Sequence, residues 1–85
     1  MAVLNITYNG MSVDYPFDVD YRMSDNDVRR IALELIRSGD VPGLDISNLA
    51  DNAFNYFVVD RFNTPEGGER IFLRPKVPFG ASFGN

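Results

Sequence analysis

The side chains of this chain that are best suited to chemistry are carboxylates. Asp14, Asp18 and Asp20 share one side of an alternating segment whose other side is apolar. Such a row could bind a hard cation or dock a basic partner. Residues two apart on a strand splay along a line, whereas calcium needs about six to eight enclosing oxygens. We therefore expect these charges mainly to prevent edge-to-edge aggregation, with partner docking as the second role and no metal site.

Groups that other catalytic sites require are absent. The 85-residue sequence contains no Cys, His or Trp, which excludes Ser-His-Asp and Cys-His catalysis and thiolate or imidazole metal sites. Its serines have no candidate base beyond carboxylates and Lys76. Paired carboxylates acting on a glycoside would need a substrate cleft, for which a domain of this size has little room. We expect no enzyme activity, no cofactor and no metal.

The charge and hydropathy of the chain argue against two classes of partner, nucleic acids and membranes. A formal net charge of −4 disfavours nucleic acid, whose phosphates require Lys and Arg. No apolar run approaches the roughly 18 residues that span a membrane, and the first residues lack the pattern of a signal peptide. We expect a cytoplasmic protein without nucleic-acid or membrane partners. Apolar residues make up 45% of the sequence, which is enough for one folded core.

The first two predicted strands form a hairpin. Residues 2–8 alternate and lead into Asn9-Gly10, a pair typical of a type I′ turn, which needs positive φ at both positions. A two-residue loop fixes the register and pairs Ile6 with Val13 on the apolar face. Both strands then place apolar side chains on the same side.

The second strand is predicted to be long. Residues 11–21 alternate throughout, with Phe17 among the apolar positions. Pro16 has no N–H to donate to a neighbouring strand, so this strand should lie at an edge of the sheet.

A helix and a compact connector follow. Ser24 is the predicted N-cap, and an apolar stripe at helical spacing includes Val28, Ala32 and Ile36. Gly39 is a natural terminator. The connector, residues 39–52, should tuck under the helix through its spaced apolar residues, which are Val41, Leu44, Ile46 and Leu49.

A second hairpin completes the predicted fold. It comprises a strand over 54–62, a turn over 63–68 and a last strand over 70–74. If the last strand lies parallel to the first, the result is an α+β, ββαββ fold with one helix on a mixed four-stranded sheet of order 2-1-4-3. The domain should span residues 1–78, and the aperiodic segment 79–85 should be a flexible tail.

The second hairpin carries more apolar side chains than one helix can cover. If Ile71 and Leu73 face the helix, the opposite face exposes apolar residues flanked by arginines. The strand over 54–62 is apolar on both sides, so Tyr56 and Val58 could replace Phe57 and Val59 there. The predicted partner-binding residues on this face are Val3, Phe57, Val59, Arg61, Arg70, Phe72 and Arg74.

The order of elements resembles the ubiquitin-like β-grasp family, in particular small bacterial ubiquitin-like proteins. The resemblance is carried by the long second strand, by a helix that ends in the segment 37–42 (RSGDVP), and by a last strand that runs into a Gly-containing tail. It implies a β-grasp fold and a role in protein interaction or conjugation. Members that are activated by adenylation end in Gly-Gly, whereas this chain ends in Phe83-Gly84-Asn85.

Three functional hypotheses follow from the sequence. The first is a protein-interaction module that uses the apolar and arginine-flanked sheet face, with homodimerisation through the aromatic edge strand as a variant. The second is a covalent modifier or sulfur carrier that acts through the tail, whose candidate residues are Phe79, Gly80, Phe83 and Gly84. The third is an acidic phage or bacterial inhibitor protein.

Overall fold

Within residues 2–66 and 68–76, which the computed structural model describes, the chain forms four strands and one helix. In chain order these are β1 (Ala2–Tyr8), β2 (Met11–Asp14), α1 (Asp25–Arg37), β3 (Val58–Thr64) and β4 (Gly68–Arg74). The sheet order is β2-β1-β4-β3, with β1 and β4 parallel at the centre and both outer pairs antiparallel. The predicted α+β fold is confirmed, and it is β-grasp-like.

The N-terminal hairpin forms as predicted. Asn9 and Gly10 have φ values of 51° and 80°, as a type I′ turn requires. Ile6 lies opposite Val13 and Tyr8 opposite Met11. The turn therefore sets the register that places the apolar side of β1 in the core.

The second strand is much shorter than predicted, because the chain leaves the ladder after Asp14. Tyr15 donates its N–H to the carbonyl of Leu4 at 2.8 Å, and the next pairing is an isolated bridge between Ala2 and Val19. Four residues separate Tyr15 from Val19 along the edge segment, whereas only two separate Leu4 from Ala2 along β1. The two additional residues form a bulge.

The bulge also changes the side on which Phe17 lies. The alternation predicts Phe17 on the core side, but Phe17 is 67% exposed. Among the described aromatic residues, its ring contacts only the ring of Tyr15, with 5.6 Å between the ring centres. Pro16 provides the reason, since without an N–H it cannot continue the ladder. The prediction that this segment forms an edge of the sheet is confirmed.

Helix α1 begins and ends where the sequence indicates. The Ser24 hydroxyl accepts the N–H of Asp27 at 3.1 Å, which caps the first turn. Val28, Ala32 and Ile36 are fully buried against the sheet. Gly39 has a φ of 75°, the left-handed conformation that commonly follows a helix.

The connector packs under the helix as predicted. Val41, Leu44 and Leu49 are buried in the core, and Ile46 is half-buried against it. Arg37 at the end of α1 donates hydrogen bonds to the carbonyl of Leu49, which holds the connector in place.

The predicted strand over 54–62 is wrong in its first four residues. Residues 51–56 form successive turns, and β3 starts only at Val58. Phe54 is buried and its ring meets that of Phe57 edge to face at 4.8 Å. Phe54 and Phe57 thus serve as core side chains before β3 begins, a role that their strand propensity conceals, whereas Tyr56 between them is exposed.

The core lies between the sheet and the layer formed by α1 and the connector. Ile71 and Leu73 of β4 face this layer and are fully buried, as predicted. The buried apolar residues are Ala2, Leu4, Ile6, Val28, Ala32, Ile36, Val41, Leu44, Leu49, Phe54, Ile71 and Leu73. Residues 77–85 lie outside the described part, and so does the predicted boundary between domain and tail.

Candidate functional site

The helix and the connector cover only one face of the sheet. Because Leu4, Ile6, Ile71 and Leu73 point into the core, alternation directs their neighbours to the other face. Within residues 2–66 and 68–76 no helix or loop packs on that side, which we call the open sheet face. Its outward positions are Val3, Asn5, Thr7, Ser12, Asp14, Val58, Asp60, Phe62, Thr64, Arg70, Phe72 and Arg74.

Four of the seven predicted interface residues lie on the open sheet face. Val3 on β1 is in register with Arg70 on β4, while Phe72 and Arg74 follow at alternate positions of the same strand. Val3, Arg70 and Phe72 are half-buried and Arg74 is exposed. The structure therefore brings these four side chains together on two adjacent central strands.

Three predicted interface residues lie elsewhere, and the register explains why. Val59 is directly opposite Leu73, so it points into the core. Phe57 precedes β3 and stacks on Tyr8 at 6.2 Å, also on the core side. Arg61 lies opposite Ile71 and shares that inner face. The alternative that the sequence left open, with Val58 outward, is the correct one.

Arg61 has a structural contact instead of an exposed position. Its guanidinium donates to the carboxylate of Asp25 at 2.6 Å and to the carbonyl of Met23. These partners flank the first turn of α1, so Arg61 ties β3 to the start of the helix.

The aromatic centre of the open sheet face includes a residue that sequence reasoning missed. Phe62 on β3 is 50% exposed, and its ring meets that of Phe72 edge to face at 5.4 Å. Phe62 has the same parity as Val58, so the correct orientation of β3 would have identified it. Tyr56 was assigned to the same side in that alternative, but it lies in a turn before β3 and lines a depression with Asp25 and Arg29 of α1.

Paired charges flank the aromatic centre on both sides. Arg70 lies 3.3 Å from both carboxylate oxygens of Asp14, and its guanidinium carbon is 5.7 Å from the centre of the Phe72 ring. Arg74 donates its Nε–H to Asp60 at 2.8 Å. Each arginine therefore has a carboxylate partner within the face, and the positive rim expected from the sequence is close to neutral.

The carboxylate row predicted on the second strand is interrupted. Asp14 pairs with Arg70 and accepts from Asn5 at 2.9 Å, whereas Asp18 and Asp20 come after the bulge. Among residues 2–66 and 68–76, no three carboxylates gather closely enough to suggest a metal site. No described helix is long and apolar enough to cross a membrane.

The four candidate tail residues, Phe79, Gly80, Phe83 and Gly84, lie outside the described residues. The open sheet face thus holds the predicted site residues that the structure brings together. Comparisons with protein-family models, with curated proteins and with solved structures found no match for this chain.

Proposed function

We propose that this protein is a small, non-enzymatic interaction module that binds another protein through its open sheet face. The observation that carries the proposal is the pair formed by Phe62 and Phe72, two contacting aromatic rings on a face that no described element covers. Val3 and Val58 extend the apolar surface on either side. Exposed apolar patches of this kind commonly mark interfaces, and aromatic residues supply much of the binding energy.

The ion pairs around the two rings would contribute specificity. Arg70 and Arg74 are already held by Asp14 and Asp60, so their orientation is fixed before a partner arrives. Such groups at the rim favour partners with complementary charges.

Substitution of the two rings tests the proposal. Phe62→Asp places a carboxylate opposite Arg70, and Phe72→Thr avoids a second negative charge opposite Asp60 while keeping strand propensity. Partners captured from cells that express the protein would be identified by mass spectrometry and their affinities measured by calorimetry. We expect each variant to bind at least about tenfold more weakly, a change of roughly 1.4 kcal/mol.

Tyr56→Asp is the matched control. Tyr56 is 85% exposed but lies in a turn outside the sheet and borders α1, so its substitution should leave affinity unchanged. Full affinity of both phenylalanine variants, with unchanged melting curves, would contradict the proposal. A concentration-dependent dimer that Phe62→Asp dissociates would identify the partner as a second copy, bound near the edge strand β3.

A second candidate function rests on the β-grasp-like fold. A ubiquitin-like modifier or sulfur carrier would share this architecture, although fold alone does not determine function. Its chemistry would depend on residues 77–85 and on trimming to Gly84 or Gly80. Incubation with ATP and a cognate activating enzyme, followed by mass spectrometry, should then detect a C-terminal adenylate. The acidic-inhibitor hypothesis gains less support, because Asp14 is paired with Arg70.

A further inference from the structure

A second surface, separate from the open sheet face, lies between α1 and the segment that follows β2. It is a groove of about 520 Å³, within the size range of pockets that bind ligands. Its floor consists of half-buried apolar side chains from both sides, which are Tyr15, Val19, Met23, Ile31 and Leu35. Three exposed carboxylates, Asp18, Asp20 and Glu34, complete the lining.

Among residues 2–66 and 68–76, the carboxylate of Glu34 forms no ion pair, although two arginines lie within helical reach. Arg30, four residues earlier, pairs with Asp27 at 2.7 Å. Arg37, three residues later, bonds to the Leu49 carbonyl and to Asp51. Both neighbours that could neutralise Glu34 along the helix are therefore held by other groups.

The carboxylates on the opposite wall belong to Asp18 and Asp20. Among residues 2–66 and 68–76, neither Asp18 nor Asp20 forms an ion pair, and the Asp20 carboxylate accepts only the backbone N–H of Arg22, at 2.9 Å. Arg22 lines a neighbouring depression that Asp18 and Asp20 also border, but it forms no ion pair with either carboxylate. The groove therefore combines an apolar floor with negative charge on both walls.

We propose that this groove binds a cationic amphipathic segment of a partner protein. Apolar anchors of the segment would contact the floor, and flanking Lys or Arg side chains would pair with Asp18 and Glu34 on opposite walls. This arrangement follows the way amphipathic helices bind apolar grooves, with charge complementarity fixing their orientation. The polar side-chain groups of the lining are three carboxylates and the Tyr15 phenol, all of which can accept hydrogen bonds from Lys or Arg.

A random peptide display library, selected against the whole protein, provides the test. We expect enriched peptides to carry Lys or Arg on both sides of apolar residues. The Asp18→Asn/Glu34→Gln double variant should bind the enriched peptides at least about tenfold more weakly, because it removes one charge from each wall with little change in shape. Affinity for the unmodified protein should also fall as salt rises, since these carboxylates are exposed.

Two controls separate this proposal from the function of the open sheet face. Asp40→Asn/Glu66→Gln removes the same net charge at exposed positions outside the groove and should leave peptide affinity unchanged. Phe62→Asp should also leave it unchanged. Enrichment of uncharged or acidic peptides, absence of enrichment, or equal losses in the two charge variants would overturn the proposal.

Discussion

At the scale of single residues, the sheet register places on opposite faces two arginines that were predicted to lie on the same face. Arg61 and Arg74 occupy neighbouring strands and both contact a carboxylate. Arg61 faces the helix and also bonds to a backbone carbonyl, whereas Arg74 lies on the open sheet face. The first should therefore contribute to folding and the second to recognition.

Methionine substitutions distinguish these roles. Arg61→Met removes hydrogen bonds that link β3 to the start of α1, and we expect the free energy of unfolding to fall by about 1–2 kcal/mol with partner affinity unchanged. Arg74→Met breaks an ion pair whose arginine is more exposed, 51% against 26% for Arg61, and which is worth about 0–1 kcal/mol, so it should change partner affinity more than stability. Urea denaturation and calorimetry measure both quantities. Loss of affinity at full stability in Arg61→Met would contradict the register argument.

At the scale of elements, the start of α1 depends on one side chain. The Ser24 hydroxyl satisfies a backbone N–H that the helix cannot pair. Ser24→Ala should lower the free energy of unfolding by about 1 kcal/mol, measured by urea denaturation. Ser38, at the other end, closes the helix through its backbone N–H, so Ser38→Ala is the matched control and should have little effect. Equal losses in both variants would argue against a capping role.

Elements were predictable from the sequence where local residue types favour a single backbone conformation. Asn9-Gly10 accepts the positive φ values of the tight turn, and that turn fixes the register between β1 and β2. The helix was predictable because Ser24, an uninterrupted apolar stripe and Gly39 agree. The strand order followed from these elements only on the condition that the last strand lies parallel to the first, and the structure shows that pairing.

The candidate site was predictable only in part. The predictions were wrong where tertiary contacts decide which face a side chain occupies. The segment before β3 is apolar on both faces, so periodicity could not show that Phe54 and Phe57 fill the core or that Phe62 points outward. Phe17 continued the alternation perfectly, but the ladder stopped near Pro16. Neither outcome is encoded in local spacing, since each depends on which backbone groups find partners across the sheet.

At the scale of the whole molecule, the described residues contain a complete sheet, one helix and their shared core. Within residues 2–66 and 68–76, the twelve buried apolar residues lie between Ala2 and Leu73. A chain shortened to end at Lys76 should therefore keep the cooperative thermal transition of the full chain, with a melting temperature within a few degrees. Circular dichroism measures this. A large drop would show that residues 77–85 stabilise the fold.

Shortening the chain also discriminates between the candidate functions. A partner that binds the open sheet face should still bind the chain that ends at Lys76, whereas a modifier or carrier would lose its reactive end. Stronger partner binding after shortening would indicate that residues 77–85 compete for the same face.

The parallel pairing of β1 with β4 has a consequence for how the protein is made. The two central strands come from nearly opposite ends of the described sequence, with Leu4 in register with Ile71. During synthesis the first hairpin and the helix can form early, but the centre of the sheet stays open until the last strand has left the ribosome. Closing so long a loop makes folding slow for a chain of this size. Until then, the edge of β1 that later pairs with β4 has unpaired backbone groups, which can pair with strands of other chains.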